Sequence, residues 1–276
     1  MSDYPYSTDD LLYLMARLRD PLTGCPWDIK QDYASIAPST LEEAYEVVDA
    51  IEKQDFVHLK EELGDLLFQV IFYSQLGKEE QRFDFGSVVS GLVEKLVRRH
   101  PHVFPDGTLS SKIDNRDTLP TDVKARWEAI KQEERAAKGA SGILADVPLN
   151  LPALSRAAKL QKRAASVGFD WEDISGPIAK VREELLEVEE ALSANNMQAI
   201  EEELGDLFFS VVNISRYLKI DPEQALRNAN QKFEQRFNYI EAHSARPLSD
   251  TSIEEMNALW DKAKKDFAAD AKSLQD

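Results

Sequence analysis

The sequence predicts an all-α protein made of two tandem copies of one helical hairpin domain. Residues 59–68 read LKEELGDLLF and residues 200–209 read IEEELGDLFF, so seven of ten positions are identical at an offset of 141 residues. The same offset aligns EEAYEVVDAI (42–51) with EELLEVEEAL (183–192), where five of ten positions are identical. A repeat of this length indicates a duplicated domain and not a solenoid of short units.

The apolar residues of each copy recur at the three- and four-residue steps of an α-helix. Residues 63–71 show this spacing, and alternation typical of a β-strand is rare throughout the sequence. Residues 38–40 predict the start of the first helix, with Ser39 or Thr40 as N-cap, and residues 175–177 predict the start of its counterpart. The apolar positions of the first helix are Leu41, Ala44, Tyr45, Val48 and Ile51.

Composition shifts place the domain boundaries. The chain has 276 residues, enough for one or two ordinary domains. Residues 105–122 are polar and predict a long loop inside the first half. Residues 137–152 are rich in Gly, Pro and small side chains, which is typical of a linker. We therefore expect a domain at 1–137, a linker at 138–152 and a domain at 153–276.

The charge balance excludes several classes of partner. Fifty Asp and Glu oppose 33 Lys and Arg, giving a formal net charge of −17. Such a surface repels nucleic-acid polymers and anionic membranes. The single cysteine, Cys25, excludes an internal disulfide and a Cys-rich zinc site, which suits a reducing compartment. No secretory signal and no apolar run of about 18–20 residues is found, so we expect a cytoplasmic protein.

Five carboxylates recur in register in each hairpin. A short turn makes the two helices antiparallel neighbours, so acids on facing sides converge. All-oxygen ligands favour Mg²⁺, with Mn²⁺ as a substitute. Gly64 and Gly205 lie inside helices at a cost of about 1 kcal/mol each, which predicts the close approach of another helix or a ligand. The acids are Glu42, Glu43, Glu46, Glu62 and Asp65, then Glu183, Glu184, Glu187, Glu203 and Asp206.

Cationic and aromatic residues also recur after each hairpin. They form pairs four residues apart, so each pair shares one helix face. Lys and Arg bind phosphates, and a Trp ring offers a stacking plane for a base or for packing. Together with metal-loaded acids they favour a small metal-chelated nucleotide as the ligand. The pairs are Lys95 with Arg99 and Trp127 with Lys131 in the first half, and Lys232 with Arg236 and Trp260 with Lys264 in the second.

These motifs resemble the MazG family of nucleoside triphosphate pyrophosphohydrolases. The family signature, EExxE followed by ExxD on adjacent helices, occurs twice, at 42–65 and 183–206. The stretches GCPWD (24–28), RRHPHVF (98–104) and KLQKRAASVGFDW (159–171) are also similar to two-domain members. The resemblance implies tandem MazG-like helical domains, dimerisation, and Mg²⁺-dependent hydrolysis of nucleoside triphosphates to monophosphate and pyrophosphate.

The resemblance also implies roles for individual residues. Four acids of each set would be metal ligands, and the cation and Trp pairs would bind the nucleotide, more clearly in the second domain. We expect the second domain to be the more active one. A remaining carboxylate, Glu42 or Glu183, would orient or deprotonate the attacking water. The implied ligands are Glu43, Glu46, Glu62 and Asp65 in the first domain and Glu184, Glu187, Glu203 and Asp206 in the second.

Two other classes of function stay open at this point. A regulatory helical dimer could bind a nucleotide or alarmone with little turnover, using the same groups. A purely structural acidic scaffold would show no stability response to Mg²⁺. A homodimer is favoured by the apolar helix faces, Leu66 to Tyr73 especially. House-cleaning of the nucleotide pool is the role that the resemblance suggests.

Overall fold

The computed structural model describes residues 5–112, 127, 130, 131, 133, 134 and 142–273, with side chains as far as residue 267. The chain forms two compact units, Met1–Glu134 and Arg135–Asp276. Regular structure in the described residues is helical, without a strand, so the all-α prediction is confirmed. No helix among them is long and apolar enough to cross a membrane. Residues 105–112 and 142–152 are not helical; 113–122 and 138–141 lie outside the described residues, and the predicted domain limits stay predictions.

The first unit is built on a helical hairpin. It contains α1 (Thr8–Leu18), α2 (Tyr33–Glu52), α3 (Phe56–Glu79) and α4 (Phe85–Arg99). The short turn between α2 and α3 makes these helices antiparallel, and the Asp55 side chain caps α3 by accepting from the Val57 and His58 backbone N–H groups. Helix α1 packs against α3. The core that joins these helices consists of Met15, Ile36, Ile71, Phe72 and Leu76.

Helix α2 has Asp32 as its N-cap, seven residues before Ser39 and eight before Thr40, so the assignment of Ser39 or Thr40 to that position is wrong. The Asp32 side chain accepts from the Ser35 N–H at 2.8 Å, and the Asp32 N–H donates to Ser35 Oγ at 2.9 Å. This capping box starts the helix at Tyr33, and Pro38 lies inside it. Proline costs one helical hydrogen bond there, and the cap and the packing of Ile36 offset that loss.

The second unit repeats the hairpin. It contains α5 (Ala153–Ala165), α6 (Ser175–Ser193), α7 (Met197–Tyr217), α8 (Pro222–His243) and α9 (Ile253–Ser273). Helix α6 starts at Ser175, as predicted. Asn196 caps α7 by accepting from the Ala199 N–H at 3.3 Å. Helix α6 packs along α7, α5 packs against α7, and α8 packs against α9.

Part of the predicted apolar face stays exposed within the chain. Leu41 and Tyr45 on α2 are 56% and 52% exposed, and Leu67 on α3 is also exposed. The segment Leu66 to Tyr73 is divided, because Ile71 and Phe72 are fully buried in the core. A Cβ added at Gly64 or Gly205 would meet no described atom within 4 Å. The helix approach predicted at these glycines is therefore not found in the described part of the chain.

Candidate metal and nucleotide site

The first acidic cluster lies between α2 and α3. Glu43, Glu62 and Asp65 each offer an oxygen, and these atoms lie within 4.8 Å of one another. Burial raises the pKa of Glu43, and the charges of Asp65, Glu46 and Glu62 raise it further. The pKa of Glu62 is also raised, by burial and then by the Glu46 charge. The hairpin thus holds carboxylates together against their mutual repulsion.

The second acidic cluster repeats this arrangement between α6 and α7. Oxygens of Glu184, Glu187 and Glu203 lie within 4.8 Å of one another. A hydrogen bond with Glu184, burial and the charges of Glu184 and Glu203 raise the pKa of Glu187. Asp206 follows Glu203 one turn later and, with Glu184, lines an adjacent cavity. Four of the five predicted acids therefore meet in this region.

The donor chemistry of both clusters fits a hard divalent cation. Each supplies several carboxylate oxygens at short range and holds at least one of them buried, Glu62 in one cluster and Glu184 in the other. A cation would relieve the repulsion that raises the carboxyl pKa values. Oxygen donors without sulfur match Mg²⁺ or Mn²⁺.

Neutralising Glu43 should stabilise the metal-free protein. Because its pKa is raised, the folded state holds the Glu43 proton more tightly than the unfolded state does. Wild-type stability therefore falls as pH rises from the ordinary value of 4.5 through the raised pKa. We expect Glu43→Gln to raise Tm at pH 7 in EDTA by roughly 1–3 °C, with a smaller gain near pH 4.5. Thermal scans measure this, with exposed Glu61→Gln as control; a lower Tm for Glu43→Gln at pH 7 contradicts it.

Each cluster has a neighbouring basic residue that the sequence interpretation missed. Lys180 Nζ lies 2.6 Å from a Glu184 oxygen and 2.9 Å from a Glu183 oxygen, and these contacts raise the Lys180 pKa. In the first domain His58 Nε2 lies 2.5 Å from Glu62 Oε1. The pairs Lys180–Glu184 and His58–Glu62 have four-residue helical spacing, so the sequence contains a signal for both residues.

The two predicted proton acceptors lie at the edge of the clusters. Glu183 is exposed and pairs with Lys180. Glu42 is exposed, and no contact among the described residues joins it to the other carboxylates. Their roles toward water stay predictions.

A cavity of about 690 Å³ adjoins the second cluster. Its charged lining residues are Lys180, Glu184 and Asp206, together with Asp170 and Arg216. The aromatic rings of Phe169, Trp171 and Phe209 belong to its wall, which is mostly apolar. Trp171 packs on Gly176, where a Cβ would lie 2.3 Å from its ring. The lining combines carboxylates with flat apolar surfaces, which is suited to a ligand with metal-bound phosphates and a planar ring.

Polar side chains complete the cavity wall. Gln161, Ser210 and Asn213 line it. Arg216 donates to Asn213 Oδ1 from Nε at 3.0 Å and from Nη2 at 2.8 Å, and it also pairs with Asp170. The Asn213 amide is thereby oriented. These residues come from α5, α7 and the loop before α6, so their proximity is a product of tertiary packing.

Some of the predicted cations contact the predicted Trp ring of their own domain. In the second, the Arg236 guanidinium lies 5.4 Å from the Trp260 ring centre, and Lys264 lies 3.3 Å from Asp261. Lys232 is exposed. No hydrogen bond or ion pair between described residues joins Lys232, Arg236 or Lys264 to the acids of the second cluster.

In the first domain these cations have a competing partner. Arg99 and Lys131 lie 5.7 and 5.5 Å from the Trp127 ring centre. Arg99 also forms an ion pair with Glu134 at 2.6 Å, and hydrogen bonds from Arg99 and Arg98 lower the Glu134 pKa to about 2. Lys95 is half-buried. The sequence interpretation did not include Glu134. Its carboxylate forms an ion pair with Arg99 and so competes with a phosphate for that side chain.

Both hairpins with their acidic motifs match one known protein family. The sequence model of the MazG nucleotide pyrophosphohydrolase domain matches residues 31–104 and 175–240, the segments that contain both hairpins. The chain belongs to this family, a class of enzymes. The predicted family is thereby confirmed.

Individual relatives cover nearly the whole chain. The nucleoside triphosphate pyrophosphohydrolase of Escherichia coli K12 is 50% identical over 262 residues, which are 93% of this chain and 97% of the relative. The Thermotoga maritima protein called nucleoside triphosphate pyrophosphohydrolase/pyrophosphatase MazG is 42% identical over 259 residues, 93% of this chain and 95% of its own. A Mycolicibacterium smegmatis nucleoside triphosphate pyrophosphohydrolase is 33% identical over 174 residues, 62% of this chain and 50% of that protein.

Proposed function

We propose that the chain hydrolyses nucleoside triphosphates to monophosphate and pyrophosphate with Mg²⁺, at a site in the second domain. The main support for this proposal is that the second acidic cluster adjoins the 690 Å³ cavity. The acids suit a metal-bound triphosphate, and the aromatic wall suits a nucleoside. The names of the relatives support the reaction.

Different residues would bind the phosphates and the nucleoside. Glu184, Glu187, Glu203 and Asp206 would hold Mg²⁺, which supplies charge neutralisation at the phosphate oxygens when bound. Phe169 and Trp171 would stack on the base and exclude water. Water attack at the α-phosphorus releases pyrophosphate, and Glu183 would orient that water. The proposed phosphate and nucleotide contacts outside the cavity are Lys232, Arg236, Trp260 and Lys264.

The first domain has the same acids, but a large buried side chain stands at the position that lines the cavity in the second domain. At the offset of 141, Asn213 corresponds to Phe72 and Ser210 to Gln69. Phe72 is fully buried and packs with Met15 and Leu76 in the core. This side chain occupies in the first domain a position that lines the cavity in the second. We therefore assign nucleoside triphosphate hydrolysis to the second domain.

Product analysis tests the reaction. We expect incubation with a panel of nucleoside triphosphates and Mg²⁺ to give monophosphate and pyrophosphate, and EDTA to stop it. Nucleoside diphosphate with orthophosphate would refute the proposed cleavage position. Tight binding without turnover would favour the regulatory alternative, and no thermal response to Mg²⁺ or nucleotide would favour the scaffold.

We further propose a homodimer that covers the exposed apolar face of the hairpins. Leu41, Tyr45 and Leu67 are exposed on one hairpin, and Phe208 and Val211 are exposed on the other. Apolar surface of this kind favours association. Light scattering should give the mass of two chains; a monomer would contradict the dimer. House-cleaning in the cytoplasm is the proposed role, supported by the family resemblance and by the free Cys25.

A further inference from the structure

We propose that Arg216 is a positioning residue that holds the aromatic segment, residues 169–171, against α7 and thereby sets the affinity for the nucleoside. This inference rests on the proposed function, because it assumes that Phe169 and Trp171 contact the base. Arg216 would act on substrate binding through these residues without touching the base itself. Its partner in the segment, Asp170, is 46 residues away along the chain, so local spacing gives no signal for the contact.

The aromatic segment lies in the connection between α5 and α6. Residues 166–174 are not helical, and Phe169 and Trp171 stand on either side of Asp170. Both aromatic residues line the cavity. Phe169 is 82% exposed, so packing within the chain contributes little to its position. A connection without helical hydrogen bonds and with little packing depends on side-chain contacts to hold it in place.

Arg216 contacts this segment through the Asp170 carboxylate. Its Nη1 donates to Asp170 Oδ2 at 3.1 Å and its Nη2 donates to Asp170 Oδ1, so the ion pair is bidentate. The Trp171 backbone N–H donates to the same Oδ1 at 2.9 Å. The next residue of α7 adds a second contact, because the Tyr217 hydroxyl donates to the Glu172 carbonyl oxygen at 3.2 Å. Asp170 therefore connects the guanidinium to the main chain of the aromatic segment.

The guanidinium is also fixed on α7 by its bonds to Asn213 Oδ1. The Arg216 side chain is 15% exposed and that of Asp170 is 32% exposed, so water screens this pair less than a surface pair. The hydrogen bond from Arg216 lowers the pKa of Asp170, which keeps the carboxylate ionised at neutral pH. Arg216 thus joins one wall of the cavity, at Asn213, to the aromatic wall.

This ion pair occurs in the domain that has the cavity. At the offset of 141 the first domain has Gln75 in place of Arg216, and Gln75 donates to Glu79 of its own helix at 2.9 Å. No hydrogen bond or ion pair between described residues joins Asp170 or Arg216 to the acids of the second cluster. The acids are present in both domains, whereas Arg216 accompanies the cavity. We therefore expect Arg216 to affect nucleoside binding and not metal-dependent cleavage.

Steady-state kinetics of Asp170→Asn test the inference. The substitution keeps the size of the side chain and removes its charge. We expect KM for the best natural nucleoside triphosphate to rise at least about fivefold, with kcat changed less than about twofold, because a displaced stacking surface weakens nucleoside binding. If Arg216 were instead a phosphate ligand held back by Asp170, its release would lower KM. An unchanged or lower KM would overturn the inference.

A double variant shows whether the two residues act through one contact. We expect Arg216→Gln, which introduces the residue of the first domain, to raise KM as much as Asp170→Asn does. Combining the two should raise KM no further than about twofold above the larger single effect, since both remove the same contact. Single effects that multiply in the double variant would overturn the inference.

The matched control is Glu255→Gln, which removes another ion pair between a loop and a helix of the same domain, Arg246 with Glu255. This control should keep the wild-type KM. A rise in its KM equal to that of Asp170→Asn would show that loss of any ion pair in this domain has the same effect, which would also overturn the inference.

Hydrogen exchange gives a readout that does not depend on activity. Peptides that cover residues 166–174 should exchange faster in Asp170→Asn and Arg216→Gln than in the wild type, and peptides from α8 should exchange alike in all three. Equal exchange of residues 166–174 in all three would overturn the inference.

These experiments separate the two proposals. If the wild type gives no monophosphate and pyrophosphate, the proposed function fails and the effect on nucleoside affinity fails with it. If the wild type gives both products and Asp170→Asn keeps the wild-type KM, only the role of Arg216 fails.

Discussion

Replacing Glu203 by alanine should lower kcat/KM for nucleoside triphosphate hydrolysis at least about 100-fold, whereas Glu62→Ala should change it less than threefold. Glu203 supplies one of the three clustered oxygens in the second domain. Loss of an outer partner of a metal ligand costs roughly 10–100-fold, so loss of a ligand should cost more. The two positions correspond at the offset of 141, which makes each substitution the control for the other.

Two measurements make this comparison decisive. Steady-state kinetics at saturating Mg²⁺ give the activity of each variant, and thermal scans with and without Mg²⁺ show whether each still folds. Equal losses in Glu203→Ala and Glu62→Ala would contradict the assignment of activity to the second domain. A larger loss in Glu62→Ala would transfer the activity to the first.

Replacing Asn213 by phenylalanine should close the cavity that we propose for the nucleoside. The substitution gives the second domain the residue that the first carries at position 72. Stacking of a base on aromatic groups contributes about 1–3 kcal/mol, so we expect kcat/KM to fall roughly 10- to 100-fold, through a higher KM. The acidic cluster is left intact, so Mg²⁺ should still raise Tm.

Asn213→Ala distinguishes filling of the cavity from loss of the amide. Alanine leaves the cavity open but removes the acceptor that Arg216 contacts at 2.8 Å. Its loss of kcat/KM should be under tenfold and smaller than that of Asn213→Phe. Equal kcat/KM for Asn213→Phe and wild type would show that the nucleoside binds elsewhere.

The hairpins and their acids could be predicted from sequence because both depend on local spacing. Three- and four-residue steps identify a helix, and a short turn brings Glu43 near Glu62 without knowledge of the rest of the fold. The predicted start of α2 is wrong because proline favours a helix start by local rules, whereas the Asp32–Ser35 capping box begins the helix about one and a half turns before Pro38. Helical periodicity also did not show that Leu41 and Tyr45 stay exposed within a single chain.

The cavity could not be predicted from spacing because its wall joins distant segments. Gln161, Trp171 and Asn213 come together through the packing of α5 on α7 and of the preceding loop on α6. The ion pair of Arg99 with Glu134 spans 35 residues for the same reason. Lys180, in contrast, was detectable, since it precedes Glu184 by one helical turn.

The first domain has Phe72 where the second has Asn213. The first residue fills a core, and the second leaves room for a cavity. A ligand cavity forgoes packing contacts, and clustered carboxylates repel one another, so a working site weakens the domain that contains it. In the first domain the buried ring of Phe72 restores those packing contacts. If activity resides in the second domain, as proposed, duplication lets one copy keep a filled interior while the other keeps an open cavity for a ligand.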